Sequence, residues 1–160
     1  MPLPLSLIVS TWTCTGHRLL DYNGKCAHLH GHNYKWEIEL GWPDLGQFDE
    51  PYGIAIDFNV VKKEIAGVVE EFDHAMVLRE DDPLVQFLRD TKQRRVILNV
   101  NPTAENMAFL VAGVLHETFK EFFENITVWV TLHETPKCSV RASAIGTTMQ
   151  TAIEVSDGTT

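Results

Sequence analysis

The alternation of hydrophobic and polar positions changes period several times along this chain, and each change predicts an element. Residues 3–15 form a β-rich run (Leu5-Ser6-Leu7-Ile8-Val9 and onward). From about His32 to Trp42 the period is two: His32, Tyr34, Trp36, Ile38 and Leu40 share one face, and Asn33, Lys35, Glu37 and Glu39 share the other. That pattern predicts a strand with one buried face. Residues 43–53 hold two Pro, two Gly and three acids and read as a surface loop. Phe58, Val61, Ile65, Val68, Val69 and Phe72 then follow helical spacing, with Asp57 placed as N-cap. Asp82-Pro83 opens a short helix, and Val96 to Val100 reads as a brief extended piece. A long helix is predicted from about Thr103 to Phe123, with Ala104, Ala108, Val111, Leu115, Phe119 and Phe122 as its apolar stripe. Ile126 to Glu134 and Ser139 to Ile145 complete the set as a hairpin, with Ile126, Val128, Val130 and Leu132 as the buried row and Glu134 next in line. Strands at both ends with helices between them predict an α+β fold, an antiparallel sheet with helices on one face. One domain is expected over residues 1–147, followed by a polar tail at 148–160.

Composition narrows the function. The 160 residues suit a single domain with its own core. A net charge of −9 without any basic run argues against nucleic-acid binding. Cys14, Cys26 and Cys138 are too scattered for a disulfide framework, which points to a reduced, cytoplasmic setting. The apolar start, Pro2 to Val9, lacks a basic leader and is too short to span a bilayer, and no later segment does better. No membrane association is expected.

The candidate chemistry concentrates in Cys26-Ala-His-Leu-His-Gly-His-Asn-Tyr34. His30 and His32 are two apart at the entrance to a strand, so both imidazoles project from one face and can converge on one metal ion. The competing reading is two polar residues at a strand start. His17 is the best third ligand for a zinc site that keeps one position open. Cys26 follows Lys25 and precedes the histidines, surroundings that favour a thiolate, although a lone cysteine is usually a small buried hydrophobe. Glu134, at the end of a buried row, needs a partner, because an unpaired buried carboxylate is costly. Asp73-His74 follows the first helix, where a histidine can simply cap the C-terminus.

Taken in order, Cys26-Ala-His-Leu-His-Gly-His32, the upstream His17, Ile56-Asp57-Phe58, Asp73-His74, Pro102-Thr103-Ala104-Glu105-Asn106 and Glu134-Thr135 resemble the 6-pyruvoyltetrahydropterin synthase / 6-carboxytetrahydropterin synthase family. The resemblance covers about residues 12–142. It implies a tunnelling fold: a four-stranded antiparallel sheet backed by helices, with subunits joining into an oligomeric barrel. A homohexamer of two trimeric rings with active sites at subunit interfaces would be usual. It further implies that His17, His30 and His32 bind Zn2+, that Cys26 is the proton-abstracting thiolate, and that Asp73 and His74 form its partner dyad. Sequence neighbours do not face each other in regular structure, so that dyad requires irregular backbone. Glu134 would anchor the pterin through its 2-amino group and ring N–H. Thr103 and Glu105 would form a second recognition segment, with Thr103 equally an N-cap.

The implied activity is that of a zinc-dependent lyase acting on a pterin triphosphate, 7,8-dihydroneopterin triphosphate. Two outcomes stand open within the family. The pyruvoyl synthase keeps the three-carbon side chain, whereas the carboxy synthase, on the route to queuosine and other 7-deazaguanines, also releases acetaldehyde. The four-residue spacing from Cys26 to His30, with Leu29 before the histidine, resembles the carboxy type. Thr15-Gly16 stands where the family often has two alanines, which leaves the parity of His17 open to a bulge at Gly16. Two other readings compete, a zinc- or pterin-binding module without catalysis and a structural zinc site. The presence of Cys26 and His74 argues against the first. The lack of a fourth close ligand argues against the second, unless Cys26 itself ligates. Arg18, Lys25, Lys35 and Arg141 are candidate phosphate contacts.

Overall fold

A computed structural model describes residues 5–43, 52–144 and 154–158. Most of the loop expected over 43–53 therefore lies outside the described residues, as does most of the stretch 148–160. The first two strands, Leu5–His17 (β1) and His30–Trp42 (β2), pair antiparallel over their whole length, from Leu5 opposite Trp42 to His17 opposite His30. The register runs through Gly16 without interruption, so no bulge disturbs the parity of His17. A Cβ at Gly16 would lie 2.7 Å from the Met76 methyl, the flexible end of a side chain that can move aside.

The alternation in β2 is realised as expected. Tyr34, Trp36, Ile38 and Leu40 are fully buried, and the opposite row is not. Helices Phe58–Val69 (α1) and Ala104–Phe119 (α3) cover that face. Asp57 caps α1 by accepting from the Asn59 N–H at 2.7 Å, and Thr103 caps α3 through the Asn106 N–H at 3.2 Å. α3 is shorter than its apolar stripe suggested. It ends at Phe119, whose carbonyl closes the turn carrying Phe122 and Phe123.

Strands Thr127–Thr135 (β5) and Cys138–Ser143 (β6) form the expected hairpin, with Val128, Val130 and Leu132 buried. The antiparallel set β6-β5-β2-β1 matches the four-stranded sheet read from the sequence. Three further strands extend it to seven. Ala75–Arg79 (β3) joins β1 in parallel, Arg95–Leu98 (β4) joins β3 in parallel, and Glu154–Ser156 (β7) pairs antiparallel with β4, giving the order β6-β5-β2-β1-β3-β4-β7. β3 carries no polar alternation because both its faces are covered. Val77 faces the main core, while Leu78 packs with Ile97 under Val85 and Leu88 of the short helix Leu84–Asp90 (α2) on the other side. Strand β7 is held by Glu154, which pairs with both Arg89 and Arg95. Among the described residues, no helix is long and apolar enough to cross a membrane.

Candidate metal and pterin site

The β1–β2 ladder places its three histidines at one end. His17 and His30 stand directly opposite each other, and His32 lies two residues along β2 on the same face. Their ring centroids form a triangle with sides of 4.5, 5.1 and 5.3 Å. The glycine between His30 and His32 has a steric cause, since a Cβ on Gly31 would come within 2.9 Å of the Thr15 carbonyl oxygen. A side chain there would prise the strands apart where the histidines must converge.

Two of the imidazoles are oriented through their second nitrogen. His17 Nδ1 lies 2.7 Å from the Pro102 carbonyl oxygen and His30 Nδ1 lies 2.7 Å from that of His28. A carbonyl only accepts, so both rings carry a proton on Nδ1 and leave Nε2 as the atom available to a metal, the usual arrangement behind a metal-binding imidazole. Glu134 completes the group. It sits at a bulge in β5, where the register shifts between His133 and Thr135, and a bulge re-aims the side chain it carries. Its Oε1 is 3.0 Å from His32 Nε2 and 3.7 Å from His17 Nε2. One ligand atom from each of His17, His30, His32 and Glu134 lies within 4.8 Å of all the others, so the four can hold a metal ion.

The donor set fits such an ion. His32 Nε2 is buried and, despite its approach to Glu134, has no partner in hydrogen-bonding geometry. A metal ion would satisfy it. Burial lowers the pKa of His17, with the Pro102 hydrogen bond and the Glu134 charge opposing and the neighbouring imidazoles reinforcing the shift. Burial likewise lowers that of His32, partly offset by Glu134. Both rings are thus kept neutral, as ligation requires. Three imidazoles and a carboxylate form a set that zinc accepts.

Tyr34, read from the sequence as a core residue, reaches this group. Its hydroxyl lies 3.2 Å from His17 Nε2 and its ring packs edge-on against His17 and His32. Burial drives the pKa of the phenol far up, and the charges of Glu134, Cys26 and Glu105 add to it. The signal was present in the parity row, since Tyr34 follows His30 and His32 on one face.

The remaining candidates divide. Cys26 stands in a single helical turn, Lys25–Ala27, and its thiol is free and outside the four-residue group. The loop carrying it closes through Leu19 N–H donating to the Cys26 carbonyl at 2.8 Å. Asn101 pins the same loop with two hydrogen bonds to the Leu20 backbone, each 2.9 Å. Asn101 directly precedes Pro102, so one segment holds both His17 and the cysteine loop. Thr103 acts as the cap of α3, and Glu105, in the first turn of that helix, borders a cleft with Phe109 and Arg141.

Asp73 and His74 lie elsewhere, beside Trp12, Cys14 and Asn33, outside the group formed by the histidines and Glu134. The irregular backbone expected there is present: His74 has φ +54°, a left-handed conformation. β1 imposes it, because the Cys14 N–H donates to Asp73 Oδ1 at 2.8 Å and the Cys14 carbonyl accepts from the His74 N–H at 2.7 Å. His74 Nδ1 lies 2.9 Å from Asp73 Oδ2. The Cys14 hydrogen bond, with His74 assisting, lowers the pKa of Asp73. His74 and His32 both border a broad depression of about 540 Å³, together with Cys14, Asn33 and Arg94.

Of the four candidate phosphate contacts, three are engaged. Arg18 grips the buried Asp82 with two hydrogen bonds of 2.7 and 2.6 Å, Lys35 pairs with Glu37, and Arg141 pairs with Glu39 while stacking on Trp129. Lys25, next to Cys26, has no ion pair among the described residues.

Residues 7–144 match the family model described as 6-pyruvoyl tetrahydropterin synthase. This chain belongs to that family. A Rickettsia bellii protein named 6-carboxy-5,6,7,8-tetrahydropterin synthase is 35% identical over 131 residues, covering 78% of this chain and 90% of the relative. A Halobacterium salinarum protein named as a probable enzyme of the same activity is 35% identical over 123 residues, covering 76% of this chain and 75% of the relative. The solved structure of 6-pyruvoyl tetrahydropterin synthase from Plasmodium vivax superposes with a TM-score of 0.66 at 17% identity, over 86% of this chain and 96% of that one. At that identity the likeness speaks for the fold, and it establishes the tunnelling architecture here.

Proposed function

We propose that this chain is a zinc-dependent 6-carboxy-5,6,7,8-tetrahydropterin synthase. It would convert 7,8-dihydroneopterin triphosphate and water into 6-carboxytetrahydropterin, acetaldehyde and triphosphate, in the route to 7-deazaguanine bases. The observation that carries the reading is the convergence of His17, His30 and His32, two of them with Nδ1 tied to a carbonyl, beside a re-aimed carboxylate. The spacing of Cys26 and the naming of the relatives at about a third identity support the carboxy outcome.

His17, His30 and His32 would hold the zinc, which when bound polarises the substrate's side-chain oxygens and acidifies the adjoining C–H bonds. Glu134 would take the 2-amino group and ring N–H of the pterin in paired hydrogen bonds. Cys26, near Lys25 and the metal, would remove the side-chain proton as a thiolate. Lys25 would lie within the reach of the phosphates. Thr103 and Glu105 would line the pterin's other side.

Asp73 and His74 would act as the acid–base partner of Cys26. Within one chain they are not part of the group formed by the histidines and Glu134, and a neighbouring subunit would bring them to it, as in a homohexameric barrel with shared active sites. The test is triphosphate release from 7,8-dihydroneopterin triphosphate. Zinc-loaded protein should turn over, metal-stripped protein should not, and Cys26→Ala should keep its zinc but lose turnover. Undiminished release by Cys26→Ala would contradict the assignment.

A further inference from the structure

Glu134 has two claims on it. As the proposed pterin anchor it must offer both carboxylate oxygens to the ring edge, yet its Oε1 leans into the histidine group. The distances are informative. Zinc bonds of about 2.0–2.1 Å place tetrahedral ligand atoms about 3.3–3.4 Å apart, and Oε1 lies 3.0 Å from His32 Nε2 and 3.7 Å from His17 Nε2, on either side of that spacing. The bulge at His133–Thr135 is what turns the side chain this way. The side chain is also 30% exposed, so a ligand can approach it from the solvent side without entering the core.

We propose that Glu134 is the fourth ligand of the metal while no pterin is bound, and that the arriving pterin ring draws the carboxylate away and opens a coordination position. This inference rests on the metal and pterin assignments above and adds an order of events to them. A site with three imidazoles and a carboxylate is closed, whereas catalysis needs a position free for substrate oxygens. Paired hydrogen bonds from an amino-pyrimidine edge hold both oxygens in the plane of the ring, and they compete with a metal bond for the same negative charge. Recognition of the ring would thereby free the metal for the side chain, and a triphosphate lacking a pterin would meet a closed site. Cys26, outside the group, keeps its thiol for proton transfer in either state.

The test uses Co2+ in place of zinc and 2-amino-4-oxopteridine as the probe, a pterin that has the ring edge but no side-chain oxygens to bind metal. Visible absorption reports coordination, and quenching of the pterin fluorescence reports binding. Wild-type protein should give intense tetrahedral bands that change as the pterin saturates. Glu134→Gln should bind Co2+ at least about ten-fold more weakly, since losing even a carboxylate that only orients a ligand costs about ten- to a hundred-fold. Its spectrum should not respond to the pterin, and a urea unfolding curve checks that it is folded. A wild-type spectrum unmoved by bound pterin would overturn the proposal, as would Glu134→Gln with wild-type Co2+ affinity. Failure of the wild type to take up Co2+, or to bind the pterin, would instead overturn the underlying assignments and this inference with them.

Discussion

Replacing His74 by glycine should leave the protein more stable than replacing it by alanine. Both substitutions remove the imidazole and its contact with Asp73, so those losses cancel in the comparison. The imidazole is 75% exposed, so little packing is lost in either case. The difference lies in the backbone. At φ +54° a residue with a Cβ is strained by about 1–2 kcal/mol, and glycine relieves this. Glycine's greater freedom in the unfolded chain costs about 0.5–1 kcal/mol relative to alanine. At the midpoints of these ranges the balance favours His74→Gly by about 0.7 kcal/mol, or about 1–3 °C in Tm for a chain of this size. At an ordinary strand or helix position the sign would be reversed, so the sign is the diagnostic. Urea unfolding at a fixed protomer concentration measures it, since subunit association would otherwise shift the midpoint. If His74→Ala proves as stable as His74→Gly, the strain argument is wrong. Strain held in place by the hydrogen bonds to Cys14 is what a functional dyad made of two sequence neighbours requires.

Gly31→Ala should destabilise by about 1–3 kcal/mol, as overpacking against fixed backbone does, and should weaken zinc binding in a competition titration with a chromophoric chelator. Thr13→Val removes the acceptor, at 2.9 Å, of the buried Trp36 Nε1–H; the orphaned donor should cost about 1–3 kcal/mol in urea unfolding. In metal-free protein the lowered pKa values of His17 and His32 mean that the unfolded chain binds more protons than the folded one. Their contribution is therefore fully present above the unfolded value of 6.5 and is lost as pH falls through the lower folded values. Unfolding curves between pH 5 and 8 should show stability rising with pH up to about 7 and then levelling; a fall over that range would refute the assignment of neutral imidazoles. Asp73, held below its ordinary 3.8, titrates outside this window.

Much of the fold could be read from single rows of residues. Tyr34, Trp36, Ile38 and Leu40 alternate with polar partners because only one face of β2 is covered, and Asp57 and Thr103 mark their helix starts because each supplies an acceptor to an otherwise unpaired N–H. β3 was not legible. Val77 and Leu78 are both buried, on opposite faces, so no alternation survives in the sequence. β7 is only three residues long, and Glu154 within it meets Arg89 and Arg95 from distant segments. At the site, the histidine triad follows from strand parity and the pairing of β1 with β2. The inward lean of Glu134 depends on a bulge that leaves no mark in the sequence, and the reach of Tyr34 to the site shows only in the parity it shares with His30 and His32. That Arg18 is committed to Asp82 could not be seen either, because the two are 64 positions apart.

Zinc-loaded protein should be incubated with 7,8-dihydroneopterin triphosphate, with acetaldehyde and the pterin product measured together. Acetaldehyde and 6-carboxytetrahydropterin are expected in equal amounts. A 6-pyruvoyl product formed without acetaldehyde would contradict that expectation and move this chain to the sister activity.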